Sequence, residues 1–600
     1  MQDQVIRALS VWDYVVIVFY LAFVCSIGFI CRRLSKGPSD YFRGGGNMLW
    51  WVGGMSALAT GISTWSFTGG AAKCYKDGFV YPLTGILCVV PGMIVLFNVA
   101  PRFRRLRVIT AMEAVFRRFG LGTEQFYTWF SLPMGLFWGG IGLNTLGVFM
   151  SSVFHVNLAW TIVVVGIVVT SLAALGGQWA VSFGAFVQGL LLFLVMVVVT
   201  FFSVNLPEIG GVRNLVHVLP ARHLHFDTEA SGALVWLWIW WNIIFAGIGA
   251  MDIRNCGKYV RVKDERNARG MVLMTSLPGI VLLMPILMHL PAMCAAVLYP
   301  DMHKVLPHLK NPEEGAWLVM AFRVLPQGLL GLMVCAMFSA AADSADAALN
   351  SNAGFFVRNV YARYIRPDAS GQRQMLVGKV TTVCFGVITI GTGLLVNSLR
   401  SLNLFDLFQV LNAMLMPPMI VPMVLGLFVK RTPAWSGWST VLVGLAAGVI
   451  AKSAFSVEWV QHLLGLHRAL NPREVVDSQF LLLSAVTWSV SALWFLGTIP
   501  FWRTSPVQHH ERVETFFADL KRPVNHLGEG GENQDAMQYR IIGALCLILG
   551  GFLVLCVAIP NPLSGRLTFL FIGSALSALG LQLWRLYRRL LRATAAANQT

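Results

Sequence analysis

The chain has 600 residues, 56% of them hydrophobic and only 12% charged, with 45 Lys and Arg against 28 Asp and Glu. That balance excludes a soluble enzyme with a single anchor and fits an all-α polytopic membrane protein. The net charge of +17 falls in loops between apolar runs, so it reads as a topology signal, with the lipid bilayer and no nucleic acid as partner.

Apolar runs of spanning length lie near 12–30, 49–70, 79–99, 125–150, 158–175, 180–204, 234–252, 271–299, 323–342, 376–397, 404–428, 436–454, 478–499, 541–559 and 566–587. They predict about 15 transmembrane helices, each near the ~20 residues a bilayer requires. Barrel strands would alternate polar and apolar residues, which these runs do not. The loops after the first, third and seventh runs are basic, with Arg32 and Arg33, then Arg102, Arg104, Arg105 and Arg107, then Arg254 to Arg269. The positive-inside rule therefore predicts a multi-pass protein of the plasma (inner) membrane, N-terminus outside and C-terminus cytoplasmic. The first run lacks a small-residue cleavage site and reads as a retained helix. The ten cysteines are scattered without metal-ligand spacing, and the absence of a GxxxxGK[ST] loop argues against ATP-driven transport.

Two runs look interrupted. Between Trp51 and Gly70, glycine and hydroxyl residues cluster at mid-span, where an unwound helix offers backbone carbonyls to a cavity; tight helix contacts are the plainer reading. A second candidate break lies within Trp236 to Asp252. Five spans separate the two, the spacing of an inverted repeat of five-helix halves. Between Ser339 and Ser351, Asp343 and Asp346 stand among small and apolar residues. An ionisable side chain at mid-bilayer costs about 2.5–3.5 kcal/mol on insertion scales, so it faces a protein interior, a partner or an ion pathway.

Four stretches carry a family resemblance. Tyr41 to Trp51 with Leu58 to Ser63, Pro101 to Glu113 with Arg117 to Gly120, Asp252 to Asp264 with Asn267 to Arg269, and Phe405 to Gln409 through Pro418 to Arg431 resemble, in order, segments of the sodium:solute symporter family. That family includes the sodium/glucose, proline and sialic acid transporters. The resemblance implies a LeuT-like five-plus-five inverted-repeat core with additional N- and C-terminal helices. Its parts would be an extra helix and basic loop at 1–48, the first repeat at 49–204, an external loop at 205–233 and the second repeat at 234–430. Peripheral helices would follow at 431–501, a cytoplasmic loop at 502–540, and C-terminal helices with a basic tail at 541–600. The implied activity is not enzymatic. It is symport, with Na+ driving import of a small polar organic solute such as a sugar or sugar acid.

Carried over by position, the family's sodium site falls on the carbonyls of Ala59, Ile62 and Ala340 and the side chains of Asp343 and Ser344. A hard cation takes several oxygen ligands, and an unwound helix supplies carbonyls without added charge. Asp343 departs from the family pattern, replacing a neutral hydroxyl with a carboxylate. Asp346, on the same helix face, is a second ion or proton site, or the partner of a buried cation. Where some members carry a Thr-Asp pair for an additional sodium, this chain has Gly184-Ala185. The solute site implied beside the ion draws on Ser63, Thr64 and Ser66 in the first core helix, Trp241, Asn242 and Asp252 in the sixth, and Gln409 and Asn412 in the tenth. Val281 to Met284 stand where sugar transporters of the family add a lysine, which argues against a glucose-type site. Proton coupling through Asp343 and a transporter-derived solute sensor are the rival readings. Residues 502–540 suggest an amphipathic surface helix followed by a hinge, with His509 and His510 facing water.

Overall fold

The computed structural model describes residues 9–32, 34, 43–62, 64–154, 156–224, 234–306, 311–398, 404–463, 470, 472–525 and 534–597. Ser63, and the side chains of Thr64, Ala340, Asp343, Ser344, Asp346 and Gln409, lie outside the described residues. Among the described residues the chain is helical, with one isolated bridge between Met48 and Val262.

The helices that place the site are, in order, α1 (Val11–Arg32), α2 (Trp50–Gly61), α3 (Gly69–Asp77), α4 (Val80–Arg105), α5 (Ala111–Phe119), α6 (Leu121–Phe154), α7 (Leu158–Val204) and α8 (Val235–Gly249). They continue with α9 (Glu265–Pro278), α10 (Leu290–Leu298), α11 (Ala316–Val324), α12 (Leu329–Phe356), α13 (Gly371–Ser398) and α14 (Leu404–Leu425). The last are α15 (Ser436–Ser453), α16 (Pro472–Gly497), α17 (Val507–Lys521), α18 (Asp535–Leu555) and α19 (Leu563–Ala597).

By length and composition, 8 helices among the described residues can each cross a membrane, and a bent pair makes a ninth. The sequence-based expectation was about fifteen. The difference has visible causes, since several apolar runs are broken. The run at 271–299 divides into α9, a π-helical stretch Gly279–Leu287 and α10. The run at 323–342 is interrupted at Gly328, whose φ of +79° is open to glycine at little cost, before α12 starts. Conversely, α7 has 47 residues, about 70 Å of helix at 1.5 Å per residue, enough for two of the expected spans in one element.

The second anticipated break is real but displaced. Val235–Gly249 remains helical through its glycines, and the chain bends by 62° into Ile253–Tyr259. The turn is fixed by Asp252, whose carboxylate caps the Arg254 N–H at 2.8 Å and pairs with the Arg254 guanidinium at 2.6 Å. The bend therefore falls within that ninth candidate span, just after the last glycine of α8.

Two large apolar clusters hold the molecule. One joins α1, α2, α7, α10 to α12 and the α18–α19 hairpin, with Tyr20, Phe67, Trp179 and Trp317 fully buried. The other gathers α4, α5, α9, α14 and α17 around Phe103, Phe119, Phe495 and Phe516. At the start of α5 the N-cap Thr110 accepts from the Glu113 N–H at 3.3 Å, while the Glu113 carboxylate accepts from the N–H of Ile109, the residue before the cap, at 3.0 Å. At its end the buried Arg118 donates to the Gly426 and Val429 carbonyls, both at 2.7 Å, and so covers orphan groups just beyond α14.

The amphipathic helix expected within 502–540 is α17, which buries His509, Val513, Phe516 and Leu520 along one face. Ion pairs Arg117–Asp519 at 3.5 Å and Lys430–Glu514 at 3.4 Å tie it to α5 and to the end of α14. The hinge at 526–533 lies outside the described residues. His509 does not face water. It is buried, and its Nε2 lies 3.0 Å from the Thr432 carbonyl, so Nε2 carries the proton and Nδ1 is left without a partner. Burial first, then the charges of Arg118 and Arg512, hold its pKa below the usual value despite the Thr432 bond.

A proton that the docked His509 resists is accepted freely by the undocked helix below about pH 6.5. Docking stability is therefore full above that value and falls as acid approaches the lowered docked pKa. Protection factors for amides across 507–521, which allow for the slower intrinsic exchange in acid, are expected to be lower at about pH 5 than at neutral pH, and equal protection factors at both pH values would contradict the buried neutral imidazole.

Candidate functional site

The first break stands where glycine and hydroxyl residues cluster. After Gly61 the helix α2 stops, and Ile62 takes extended angles (φ −86°, ψ 94°). Its N–H is shared between the Leu58 and Ala59 carbonyls, at 3.1 Å from each. Carbonyls of a last helical turn have lost their ordinary donors, and each keeps a second lone pair for another partner. The chain resumes as a helical turn, Thr64–Phe67, and then as α3.

Helix α12, which carries Asp343, Ser344 and Asp346, packs directly against α2 and also against α1, α6, α7 and α13. Helix α2 is pressed onto α7 at Gly189, where an added Cβ would stand 2.9 Å from the Ala59 Cβ and 3.1 Å from the Met55 Cε. Ala59 and Ile62 are both buried there. Gly61, between them, is exposed, so the break lies at a helix–helix contact and opens on one side, and irregular backbone at membrane depth is tolerated where it is covered by protein or lines a cavity.

Three anchors that the sequence did not announce fix these helices. The buried Asp13 of α1 accepts from Gly328 N–H at 2.7 Å and Gly331 N–H at 2.8 Å through one carboxylate oxygen. This anion at the N-terminus of α12 satisfies orphan donors and complements the helix dipole. Further along, the Tyr20 hydroxyl lies 2.5 Å from the hydroxyl of Ser339, the residue preceding Ala340. At the start of α2, Gln538 accepts from Leu49 N–H at 3.0 Å and donates to the Asn47 carbonyl at 2.8 Å. An Asp at the third position of α1 gives no sign, in sequence alone, of capping a helix more than three hundred positions away.

A second polar cluster was also missed. Asn350, seven residues past Asp343 and so on the same face of α12, donates to the Gln178 Oε1 at 3.4 Å, and Gln178 donates to the Ser182 hydroxyl at 3.0 Å. All three are buried, and the Asn350 Oδ1 has no partner among the described residues. The heptad spacing from Asp343 was the available signal.

The solute candidates separate. Trp241 packs in one cluster with Val410, Ala413 and Met414, the neighbours of Asn412, and its buried indole N–H has no partner. Asn242 turns back on its own helix, donating to the Trp238 carbonyl at 2.7 Å. Asp252 is committed to Arg254 and is not available to a solute. Ser66 is half-buried in the turn beyond the break. No group of three or more His, Cys, Asp or Glu with metal-binding arrangement exists among the described residues.

If the close approach at Gly189 sets the position of the break, Gly189→Val is expected to cost about 1–3 kcal/mol of overpacking. It should raise the sodium concentration needed for half-maximal thermal stabilisation by about tenfold or more. A normal sodium midpoint in a folded variant would separate α2 placement from ion binding.

The family model for the sodium:solute symporter family matches residues 41–444. The chain is 26% identical over 456 residues to the sodium/sialic acid symporter SiaT of Proteus mirabilis, covering 73% of this chain and 89% of that protein. It is 25% identical over 497 residues to the sodium/myo-inositol cotransporter 2 of Bos taurus, covering 74% of this chain and 70% of the relative. Among solved structures, a Na+-coupled sialic acid symporter in a substrate-bound outward-open state, described as revealing a novel Na+ site, superposes with a TM-score of 0.66 at 20% identity. The alignment covers 81% of this chain and 98% of that one, and shows a shared fold. These relatives are transporters and not enzymes, and the chain belongs to the sodium:solute symporter family.

Proposed function

We propose that the protein imports a small polar organic solute, a sugar, a sugar acid or a related compound, by alternating access driven by the inward sodium gradient. Symporters of sialic acid and myo-inositol are among the proteins it is similar to, and both are polyhydroxylated. The observation that carries the reading is the end of α2 at Ile62, set against the helix that bears Asp343. The scaffold is read as two five-helix inverted repeats, 49–204 and 234–430, in the plasma membrane with the C-terminus in the cytoplasm.

In this reading Na+ is held by the carbonyls of Ala59, Ile62 and Ala340 and by the side chains of Asp343 and Ser344. A carboxylate at one ligand position adds charge where the additional acidic ligand of some relatives is missing at Gly184-Ala185. Asp346 serves a second ion or a proton. The oxygens of Asn350, Gln178 and Ser182 offer a polar step beyond the carboxylates along α12. Solute binds beyond the break, among Ser63, Thr64, Ser66, Trp241, Asn242, Gln409 and Asn412, with the unpartnered Trp241 N–H as a donor and the amides as paired donors and acceptors. The ion holds the break in its binding geometry and the two ligands raise each other's affinity by the same factor.

One feature favours a second reading, proton coupling: Asp343 is a carboxylate where the family has a hydroxyl, and a carboxyl deprived of its cation binds a proton more tightly. Uptake into proteoliposomes distinguishes the two. Asp343→Asn and Ser344→Ala are each expected to weaken sodium stimulation by about 10–100-fold, with a smaller loss for Asp346→Ala. Full uptake driven by a pH gradient without sodium, abolished by Asp343→Asn, would replace sodium coupling with proton coupling.

A further inference from the structure

We propose that the outer face of the α18–α19 hairpin binds an anionic phospholipid, independently of the sodium site. The hairpin closes on a seam of small residues. A Cβ at Gly550 would meet the Ser577 Oγ at 2.5 Å, and one at Gly580 would meet the Leu547 Cγ at 2.8 Å and the Gly543 carbonyl at 2.9 Å. Backbones that approach this closely leave a low floor, and the large side chains beside it rise as walls. The result is a groove of about 510 Å³ with Ala544 between Leu547 and Ile548 on one side and Leu581 and Trp584 on the other. Ile548 and Leu581 are about half exposed, so in a spanning helix pair the groove opens to lipid.

One end of the groove is charged. Arg585 and Arg588 line it, and neither guanidinium has an ion pair or hydrogen bond among the described residues. From Leu563 to Arg585 is about 33 Å of helix, one hydrocarbon thickness, which puts both arginines at the headgroup level. The Trp584–Tyr587 ring pair, with centroids 5.7 Å apart, sits at the same level, as aromatic residues of a membrane interface do. The apolar floor then takes an acyl chain while the two guanidiniums, three residues apart on one face, take a phosphate. A second copy of the chain is the less suited occupant. A two-fold contact through the groove would set Arg585 and Arg588 against their own counterparts.

The test is native mass spectrometry on the purified full-length protein after exchange into detergent with phosphatidylglycerol or phosphatidylcholine. Phosphatidylglycerol should stay bound and phosphatidylcholine should not. The double substitution R585Q/R588Q should weaken retention by about 30-fold, the factor that two surface arginines contribute. Ala544→Trp should block retention with both arginines intact. Equal retention of the two lipids, undiminished retention in R585Q/R588Q, or a lipid-free dimer that Ala544→Trp converts to monomer would each overturn the proposal.

Discussion

A carboxylate and a backbone carbonyl share one difficulty inside a bilayer, which is that nothing in the hydrocarbon satisfies them. This protein places both kinds of group on helices that touch. Helix α2 stops at Gly61 and Ile62, leaving carbonyls of its last turn in partly satisfied geometry, and α12 carries Asp343 and Asp346 through a run of small residues. In the proposed site a monovalent cation resolves both deficits at once. The helix end supplies oxygen without charge, and α12 supplies the charge that makes a monovalent ion worth dehydrating.

The surrounding contacts turn that meeting point into a defined geometry. Asp13 fixes the start of α12, Tyr20 touches Ser339 just before the carboxylates, Gln538 fixes the entry to α2, and Gly189 lets α7 approach Ala59. Three of these anchors, Asp13, Tyr20 and Gln538, come from helices outside the proposed repeats, α1 and α18, so the peripheral helices help set the register of the core. On the other side, α17 is pinned across α5 and the end of α14 by ion pairs and the buried His509. An ion that holds the break in place therefore acts on helices tied into both large apolar clusters.

How much of this was legible follows from what local sequence encodes. Apolar length gave the membrane class and most spans, because about 20 apolar residues have few other uses. The break near Ile62 was readable from Gly61 and its hydroxyl neighbours. Hydropathy does not register where a helix is interrupted, as at Gly328, or drawn into a π-helix, as at Gly279–Leu287. The second break falls at Asp252, which finds Arg254 two residues on, and not at the glycines before it. His509 looked solvated beside so many charges, yet its hydrogen-bond partner, Thr432, is 77 positions away. Asp13, Gln538 and Asn350 belong to the same class, since their roles are set by partners that only folding brings near.

The most direct test is a high-resolution density map of the protein in saturating sodium beside one in a sodium-free buffer. The account predicts an ion peak in the sodium map alone, bounded by the carbonyls of Ala59 and Ile62 and by the Asp343 carboxylate. A map in which that carboxylate points to lipid, or in which the peak lies away from the end of α2, would contradict it.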